Sequence, residues 1–338
     1  MISQKILVIA EAGVNHNGDF NRANEMVRVA AASGADYVKF QAFKAENLVS
    51  NHAKTTAYQK NATGSVNQRE MLSSLELSLG DFEKLAATCE KEKIGFLVTP
   101  FDYEIVSTLI EFGMDRIKVS SGDLTNISLL VKFASFDLPM IISTGMANEK
   151  EVSHSIEILK SNNVDDITIL QCTSLYPAPP RTINLRAMKT MRDKYKVNVG
   201  FSDHSIGTHI SIAAAALGAT TIEKHFTLDR SLPGPDHMAS LEPVELSSLI
   251  AGVRDVQEAL GNGVKEPVED EIEVSRLVRR SWHTTRDIEL GTRLSEKDIV
   301  LKRPGDGMLG DENPIGRILK NKKRADSPIY QSDLEVKS

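Results

Sequence analysis

The chain has 338 residues, of which 41% are hydrophobic and 25% charged, a composition typical of a soluble globular protein with a substantial core. Its formal net charge of -6 provides no basic field for polyanions, which excludes nucleic acid and an anionic membrane as expected partners. The two cysteines, Cys89 and Cys172, are far apart, and the N-terminal apolar run is too short for a signal sequence. We therefore expect free thiols and a cytoplasmic protein.

Short apolar runs alternate with amphipathic segments along most of the chain. Eight runs are predicted to be strands: Lys5–Ala10, Tyr37–Gln41, Ile94–Thr99, Arg116–Ser121, Met140–Thr144, Ile167–Cys172, Val197–Ser202 and Thr220–His225. Helical periodicity fills the segments between them. This alternation indicates an α/β fold of parallel strands, and eight units favour a closed (β/α)8 TIM barrel over an open doubly wound sheet.

Two segments interrupt this alternation. The polar insertion from Ala42 to Ser78 is long for a loop between a strand and a helix, so we expect it to form a lid or rim. A Gly, Pro and acid-rich stretch predicts a linker over residues 262–277. We therefore expect a barrel domain over residues 1–261 and a small, mostly irregular domain over residues 278–338, whose size favours docking onto a larger surface.

Polar side chains end nearly every predicted strand. The carboxyl ends of barrel strands meet on one face, which holds the active site. A single polar strand end can be a cap or a loop hydrogen bond, but eight in register favour a catalytic site. The set comprises Glu11, Asn15, His16, Lys39, Gln41, Thr99, Lys118, Ser121, Asp123, Ser143, Thr144, Thr173, Ser174, Tyr176, Ser202, His204, His225 and Asp236.

Two lysines of this set, Lys39 and Lys118, lie within apolar alternation. A buried ammonium is costly unless it is paired, and the partner is either a neighbouring carboxylate or an anionic ligand. Hydroxyl groups end four strands, and such groups suit phosphate and carboxylate oxygens. We therefore expect a small dianionic ligand.

Two histidines, His204 and His225, end the seventh and eighth predicted strands, which are adjacent in a barrel. They can converge on one cation, and the lack of a third His or Cys at close spacing favours an open Lewis-acid site over a structural zinc site. These ligand types alone do not separate Mn²⁺, Mg²⁺, Zn²⁺ and Co²⁺. We expect Cys172 to be a core residue, while His16 and His237 are open to either role.

Several motifs together resemble the sialic acid synthase family (N-acetylneuraminate and N,N'-diacetyllegionaminate synthases) with its C-terminal antifreeze-like SAF domain of the β-clip type. They are IAEAGVNHNGD, VKFQAFKAENLV, TPFD, IKVSSGDLTN, IISTGMA, QCTSLYPAP, GFSDHS, IEKHFTLDRSLPGPDHMASLEP and LKRPGDG. They occur in order along nearly the whole chain. The resemblance implies a TIM barrel followed by a SAF domain.

The resemblance also implies a reaction. Phosphoenolpyruvate condenses with an N-acetylated mannosamine-type sugar (an N-acetyl hexosamine) and water, giving a nine-carbon 2-keto acid and phosphate. Alternatives are a pseudaminate synthase acting on a 2,4-diacetamido altrose precursor and a metal-dependent aldolase of the same fold. The motif VKFQAFKAENLV, which contains Phe40, is similar to that of bacterial legionaminate-type synthases.

The resemblance assigns roles to individual residues. His204 and His225 match metal ligands, for Mn²⁺ first, with Mg²⁺ or Co²⁺ as alternatives. Phosphate-binding positions match Lys118, Ser121, Ser174 and Ser202, and positions near the carboxylate match Lys39, Thr99 and Ser143. Positions that face the sugar or metal-bound water match Glu11, Gln41, Tyr176 and Asp236.

Two further residues follow from the same resemblance. Asp123 stands where many members have Glu, and its shorter carboxylate would need a bridging water to reach the reacting water. Arg303 matches the position at which the SAF domain of one subunit enters the barrel of its partner, which implies a domain-swapped homodimer. The expected catalytic residues are thus Glu11, Lys39, Lys118, Asp123 and Asp236.

Overall fold

The computed structural model describes residues 5–335, and its first unit is built on one eight-stranded sheet. The strands are β1 (Leu7–Gly13), β2 (Tyr37–Ala42), β3 (Gly95–Pro100), β4 (Ile117–Val119), β5 (Met140–Ser143), β6 (Ile167–Cys172), β7 (Asn198–Asp203) and β8 (Thr221–His225). Their order is β3, β2, β1, β8, β7, β6, β5, β4, all hydrogen-bonded pairs are parallel, and β3 and β4 are neighbours. The predicted (β/α)8 barrel is confirmed.

Helices follow the strands and cover the outside of the sheet. They are α1 (Phe20–Ala32), α2 (Ala45–Leu48), α3 (Ala57–Thr63), α4 (Gln68–Ser73), α5 (Leu79–Glu92), α6 (Val106–Glu111), α7 (Ile127–Ala134), α8 (Glu149–Ser161), α9 (Arg186–Tyr195), α10 (His209–Ala216) and α11 (Pro243–Ala259). Side-chain caps fix several starts: Asp19 accepts from the backbone N–H groups of Asn21 and Arg22 at the start of α1, a cap that stabilises by about 1 kcal/mol. Within residues 5–335, every helix is too short or too polar to cross a bilayer.

The barrel core is apolar and continuous from the strands to the inner faces of the helices. Phe40, Phe201 and Phe226 are among its fully buried side chains, and each contributes about 1.5–3 kcal/mol by leaving water. Every strand except β6 differs from its predicted bounds at one end or both, most clearly β1 and β4. β1 continues to Gly13 because its polar residues pair with β2, and β4 ends at Val119 because a 3-10 turn begins at Ser121.

The insertion after β2 is helical rather than irregular, since it contains α2, α3 and α4. Its start is fixed by Glu76, which accepts a hydrogen bond from the Ala45 N–H at 2.8 Å and from Lys44 at 3.1 Å. A small separate apolar cluster has Val14, Phe43 and Leu75 at its centre, and Leu48 and Leu72 of the insertion pack against it. This packing holds the insertion against the carboxyl end of the barrel.

A second compact unit begins at Gly263. The stretch predicted as a linker contains a helix, α12 (Glu269–Val278), whose acidic first turn complements the positive end of the helix dipole. Two short antiparallel strands follow, β9 (Ser281–Thr284) and β10 (Ile299–Lys302). A small core stabilises this unit, formed by Ile288, Leu294, Ile299, Met308, Leu319, Ile329 and Leu334.

Candidate active site

A cavity of about 390 Å³ opens at the carboxyl ends of the barrel strands. Its wall combines acidic, basic, hydroxyl and imidazole groups. The structure brings together most of the site residues predicted from the sequence, namely Glu11, Lys39, Gln41, Thr99, Lys118, Ser121, Ser143, Ser174, Tyr176, Ser202, His204 and His225. The predicted residues outside this wall are Asn15, His16, Asp123, Thr144, Thr173 and Asp236.

Lys39 is buried and paired within the protein. Its Nζ lies 2.8 Å from Glu11 Oε2 and 3.5 Å from Glu223 Oε2, and it donates a hydrogen bond to Thr99 Oγ1 at 3.1 Å. The strand register produces the first contact, because Glu11 is the partner of Lys39 across the β1–β2 pair. Burial disfavours the ammonium, but Glu11 and Glu223 hold the pKa of Lys39 above its ordinary value. Lys39 therefore remains protonated.

Glu223 lies between the two lysines. Its Oε1 is 3.8 Å from Lys118 Nζ and accepts a hydrogen bond from Ser202 Oγ at 2.8 Å. Lys118 Nζ donates to Ser143 Oγ at 2.8 Å. Burial opposes ionisation of the carboxyl, but Lys118 and Lys39 hold the pKa of Glu223 at about 2. The carboxylate is therefore charged at neutral pH.

The lysines thus have internal carboxylate partners, which corrects our preference for a ligand as the partner of each. Glu11 and Glu223 balance Lys39 and Lys118 when all four groups are ionised. Burial, however, raises the pKa of Glu11. Protonation of Glu11 gives one net positive charge, which favours an anionic ligand, as long as both lysines are charged. Burial also lowers the pKa of Lys118, and an anionic ligand would hold that ammonium in its charged form.

Glu223 was missed in the sequence although a pattern pointed to it. Side chains alternate across a strand, so residues two apart share a face. Glu223 precedes His225 by two positions in β8 and therefore faces the same cavity. The prediction considered only residues that end an apolar run.

His204 and His225 converge as predicted, with ring centroids 5.4 Å apart. His204 Nδ1 lies 2.8 Å from the Thr173 carbonyl oxygen, so a neutral ring carries its N–H there and leaves the Nε2 lone pair free. His225 Nδ1 is buried and has no hydrogen-bond partner. Burial, with the positive charges of His204 and Lys39, lowers the pKa of His225 well below its ordinary value. His225 is therefore neutral and can offer a lone pair. Burial opposes the charge of His204, but Cys172 and the Thr173 carbonyl oxygen raise the pKa of His204 above its ordinary value, so His204 offers Nε2 once it has lost its proton.

Gly13 makes room for one of these rings. It adopts a φ of 53°, a left-handed conformation that favours glycine. A Cβ at this position would lie 3.2 Å from His225 Cε1 and 3.3 Å from Glu11 Oε1. The bare backbone lets β1 pass close beside the imidazole.

The two histidines fit an open cation site. The unpartnered Nδ1 of His225 and the oriented ring of His204 supply nitrogen donors, which suit Mn²⁺, Co²⁺ and Zn²⁺ better than the oxygen-preferring Mg²⁺. Between residues 5 and 335, no cluster of three or more His, Cys, Asp or Glu side chains is arranged to hold a metal ion. A cation here would take its remaining ligands from water or substrate.

Two serines and a cysteine line the cavity wall next to His204, whose Nδ1 lies 3.9 Å from Cys172 Sγ. Ser121 Oγ accepts a hydrogen bond from the Gly145 N–H at 3.0 Å and lies 3.6 Å from Cys172 Sγ. A Cβ on Gly145 would lie 2.3 Å from Ser174 Oγ, so glycine allows Ser121 and Ser174 to approach each other. Cys172 is buried, as predicted for a core residue, and it also borders the cavity.

The insertion supplies part of the rim, as predicted. Tyr58 in α3 stacks on Tyr176 with ring centroids 5.2 Å apart, and Tyr176 lies 4.1 Å from the His204 ring. Residues Thr56, Gln59 and Gln68 of the insertion also line the cavity. The sequence did not single out these residues, because they follow no strand and share no spacing with the other site residues.

The resemblance also assigned roles to Asp123 and Asp236, which lie outside the cavity wall, and to Arg303, which belongs to the second unit. Asp123 accepts a hydrogen bond from Ser120 Oγ at 2.7 Å. Asp236 is buried in the loop after β8, and burial raises its pKa to about 6. Arg303 follows β10 in the second unit and is exposed. The roles assigned to these residues stay predictions.

The two loop histidines differ in their bonding. His237 Nδ1 lies 2.7 Å from Thr227 Oγ1 and its Nε2 lies 3.2 Å from Asn17 Oδ1, so both nitrogens are used in holding loops together. His16 Nδ1 accepts a hydrogen bond from the Gly18 N–H at 3.0 Å, and its Nε2 is buried without a partner. Neither ring lines the cavity.

A closed (β/α)8 barrel with a polar cavity at its carboxyl end defines the class of barrel enzymes. The chain belongs to the NeuB family, whose profile matches residues 26–265, and it carries a SAF domain that matches residues 279–335. The predicted family and the predicted SAF domain are confirmed.

Named relatives cover nearly the whole chain. It is 44% identical to the N,N'-diacetyllegionaminic acid synthase of Campylobacter jejuni over 97% of this chain and 100% of that protein. It is 43% identical to the enzyme of the same name from Legionella pneumophila over 99% of this chain and 96% of that protein. The structure resembles the N-acetylneuraminic acid synthetase of Leptospira borgpetersenii, with a TM-score of 0.72, 36% identity and coverage of 80% and 90% of the two chains.

These relatives agree with the predicted similarity to legionaminate-type synthases. Phe40, which prompted that prediction, is fully buried and outside the cavity wall. Its ring instead lies 6.2 Å from that of His16. Phe40 is therefore a side chain of the barrel core.

Proposed function

We propose that the protein condenses phosphoenolpyruvate with a 2,4-diacetamido-2,4,6-trideoxymannose and water to give N,N'-diacetyllegionaminate and phosphate. C3 of phosphoenolpyruvate forms a bond to the aldehyde carbon of the open-chain sugar, and the aldehyde oxygen takes up a proton. Water adds at C2, and the resulting tetrahedral intermediate loses phosphate to leave a 2-keto acid.

One observation carries the proposal: two buried lysines and several hydroxyls surround a cavity that also holds two converging imidazoles. This combination suits a phosphorylated carboxylate beside a carbonyl compound. The names of the two relatives favour a diacetamido sugar. A Schiff-base aldolase would instead need a lysine free to act as a nucleophile, whereas Lys39 is held by Glu11 and Thr99.

The hydrogen bonds refine the proposed binding of phosphoenolpyruvate. Lys39 and Thr99, both assigned to the carboxylate end, are bonded to each other. Ser143, assigned to that end, is bonded to Lys118 of the phosphate end. Lys118 and Ser143 therefore lie between the groups assigned to the carboxylate and those assigned to the phosphate of phosphoenolpyruvate. Ser121 and Ser174 are the further groups assigned to the phosphate.

The remaining groups act on the sugar and on protons. A divalent cation, Mn²⁺ first, held by His204 and His225 would polarise the sugar aldehyde. Glu11, with its raised pKa, can hold the proton that the aldehyde oxygen takes up. Gln41, which donates to Glu11 Oε1 at 3.4 Å, orients that carboxyl, and Tyr176 forms the wall beside the imidazoles. Asp236 and Asp123 act through water from outside the wall.

We further propose a cytoplasmic, domain-swapped homodimer in which Arg303 enters the partner's barrel. Its exposed guanidinium is available for such a contact. Helix α12 exposes the apolar side chains Ile272 and Leu277, which a dimer would cover. The two cysteines are free thiols, as a reducing compartment requires.

The test measures phosphate release by chelator-treated protein. Phosphate should appear only when phosphoenolpyruvate, Mn²⁺ and the diacetamido sugar are all present, with the nine-carbon acid identified by mass spectrometry. Pyruvate in place of phosphoenolpyruvate should give no product. Equal turnover with pyruvate would show that the reaction is an aldolase reaction.

A panel of acceptor sugars tests the specificity. N-acetylmannosamine, the diacetamido mannose and the diacetamido altrose precursor of pseudaminate are each assayed with phosphoenolpyruvate. The diacetamido mannose should give the highest kcat/KM. Preference for the altrose compound would identify a pseudaminate synthase, and preference for N-acetylmannosamine a neuraminate synthase.

A further inference from the structure

A second pair of charged residues lies behind the two histidines. Side chains alternate along a strand, so Asp203, between Ser202 and His204, points away from the cavity, as does Lys224, between Glu223 and His225. The two are register partners at the end of the β7–β8 pairing. The pair therefore directly precedes both imidazoles.

The pair is fully buried and fully bonded. Lys224 Nζ lies 3.0 Å from Asp203 Oδ2, and both side chains are 0% exposed. Asp203 Oδ1 accepts from the Ser205 N–H at 2.8 Å and from Ser205 Oγ at 2.7 Å, and Oδ2 accepts from Ser211 Oγ of α10 at 2.6 Å. Lys224 Nζ also donates to the Ser205 carbonyl oxygen.

These bonds enclose the backbone of His204. Strand β7 ends at Asp203, so regular β pairing does not hold His204 itself. The Asp203 carboxylate instead ties together the residues on either side of His204 and joins both to Lys224, whose neighbour His225 is held in β8 beside Glu11. The spacing between the two rings thus depends on this pair.

Stability does not explain such a pair. Replacing a buried ion pair by apolar residues of similar volume is often neutral or stabilising, because the desolvation cost offsets the attraction. Its directional bonds, however, fix geometry in a way that apolar packing does not. A cation site requires its donors at fixed distances, and outer groups that orient ligands affect metal affinity strongly.

We propose that Asp203 and Lys224 are positioning residues that set the separation and orientation of His204 and His225, and through them the affinity for a divalent cation. This inference rests on the cation site of the proposed function. It assigns a role to residues outside the cavity that contact no substrate.

The test measures Mn²⁺ binding without substrates, by electron paramagnetic resonance of the free ion. Asp203→Asn should raise the Kd for Mn²⁺ by about 10- to 100-fold. Its matched control is Asp36→Asn, which removes a carboxylate bonded to Arg254 at 2.6 Å and to the Val8 N–H at 2.7 Å near the opposite ends of the strands. Asp36→Asn should leave the Kd unchanged.

A double variant distinguishes an effect on the placement of the two histidines from an effect on the stability of the protein. Asp203→Leu combined with Lys224→Met leaves no unpaired charge, although the Ser205 and Ser211 donors lose their acceptor. The double variant should therefore fold with a moderately lowered melting temperature, while the Kd stays weakened and the Co²⁺ absorption spectrum shifts. Should Asp203→Asn fail to fold, this double variant and the milder Ser211→Ala provide the same measurement. A double variant that binds Mn²⁺ as tightly as the wild type overturns the inference.

The failure of this inference is distinguishable from that of the proposed function. If the wild type binds Mn²⁺, His225→Ala abolishes binding and the double variant binds normally, only the positioning role is wrong. If the wild type binds no Mn²⁺, or His225→Ala binds Mn²⁺ with an unchanged Kd, both the proposed cation site and the proposed positioning role are wrong. Phosphate release by the wild type tests the condensation separately.

Discussion

Strand β8 carries two neighbouring charged residues whose surroundings differ sharply. Lys224 faces outward, where its ammonium and the Asp203 carboxylate are bonded on all sides by Ser205 and Ser211. Glu223 faces the cavity, where its Oε2 has no hydrogen-bond partner although Lys39 lies 3.5 Å away. Both residues are buried, so burial alone does not account for the difference.

This difference distinguishes charged groups whose hydrogen bonds are all made within the protein from groups that are available to bind a ligand. A buried polar atom without a hydrogen bond costs about 1–3 kcal/mol, and proteins retain such atoms where a ligand, water or ion completes them. Two of these atoms, Glu223 Oε2 and His225 Nδ1, belong to residues that line one cavity. We expect substitutions on the inner face to affect turnover more than stability.

The largest effect is expected for Glu223→Gln. Within residues 5–335, Glu223 is the only carboxylate within ion-pair distance of Lys118, so the change leaves that ammonium uncompensated. We expect kcat/KM for phosphate release to fall by about 100- to 1000-fold, as for loss of one preorganised electrostatic group. Glu25→Gln, on the exposed face of α1, serves as the control and should keep full activity.

The melting temperature completes this experiment. Glu223→Gln should lower it less than Asp203→Asn does, because removing one partner of a saturated buried pair costs about 3–5 kcal/mol. The reverse order of melting temperatures, or wild-type turnover in Glu223→Gln, would show that the inner cluster is a structural one.

A pH series contrasts Glu223 with another buried acid, Asp236. Burial raises the pKa of Asp236 from 3.8 to about 6, so between these values the folded state holds a proton that the unfolded state has lost. The free energy of unfolding contributed by Asp236 therefore falls as pH rises through this window. Glu223, whose pKa is lowered from 4.5 to about 2, contributes stability above pH 4.5 that is lost as pH falls through about 2.

Asp236→Asn isolates the first of these contributions. The variant should match the wild type near pH 4 and be more stable above pH 6 by about 3 kcal/mol, since one pKa unit corresponds to about 1.4 kcal/mol. Urea unfolding from pH 4 to 8 measures the difference. Parallel stability curves for the two proteins would mean that Asp236 is solvated.

The fold could be predicted from the sequence because each strand and helix has its own periodicity. All eight strands were located, and β6 was predicted with its exact bounds. The errors at strand ends arise from long-range pairing: β1 extends to Gly13 because Glu11 meets Lys39 of β2. The helix α12 was missed because its flanking Gly and Pro residues indicate an irregular segment.

The sequence predicted those site residues whose polar side chains end a strand. His204 and His225 follow that pattern, whereas Glu223 lies two residues before the end of β8 and Tyr58 lies in a helix of the insertion. The sequence also did not show that carboxylates already compensate the lysines. That fact depends on the strand register, which sets Glu11 beside Lys39. It also depends on barrel closure, which brings Lys118 of β4 within 3.8 Å of Glu223 of β8.

The smallest effect is expected for Ser202→Ala, which removes the 2.8 Å hydrogen bond to Glu223 Oε1. A hydrogen bond to a charged group is worth about 1.5–3 kcal/mol, and its loss raises the pKa of Glu223, so kcat/KM should fall by about 10-fold. Ser202→Thr, which keeps the hydroxyl, should recover most of the activity. A double variant with Glu223→Gln decides how Ser202 acts, because residues that act through one another are not additive. If Ser202 acts through Glu223, the double variant is no slower than Glu223→Gln alone, whereas a further loss would place the hydroxyl directly on the substrate.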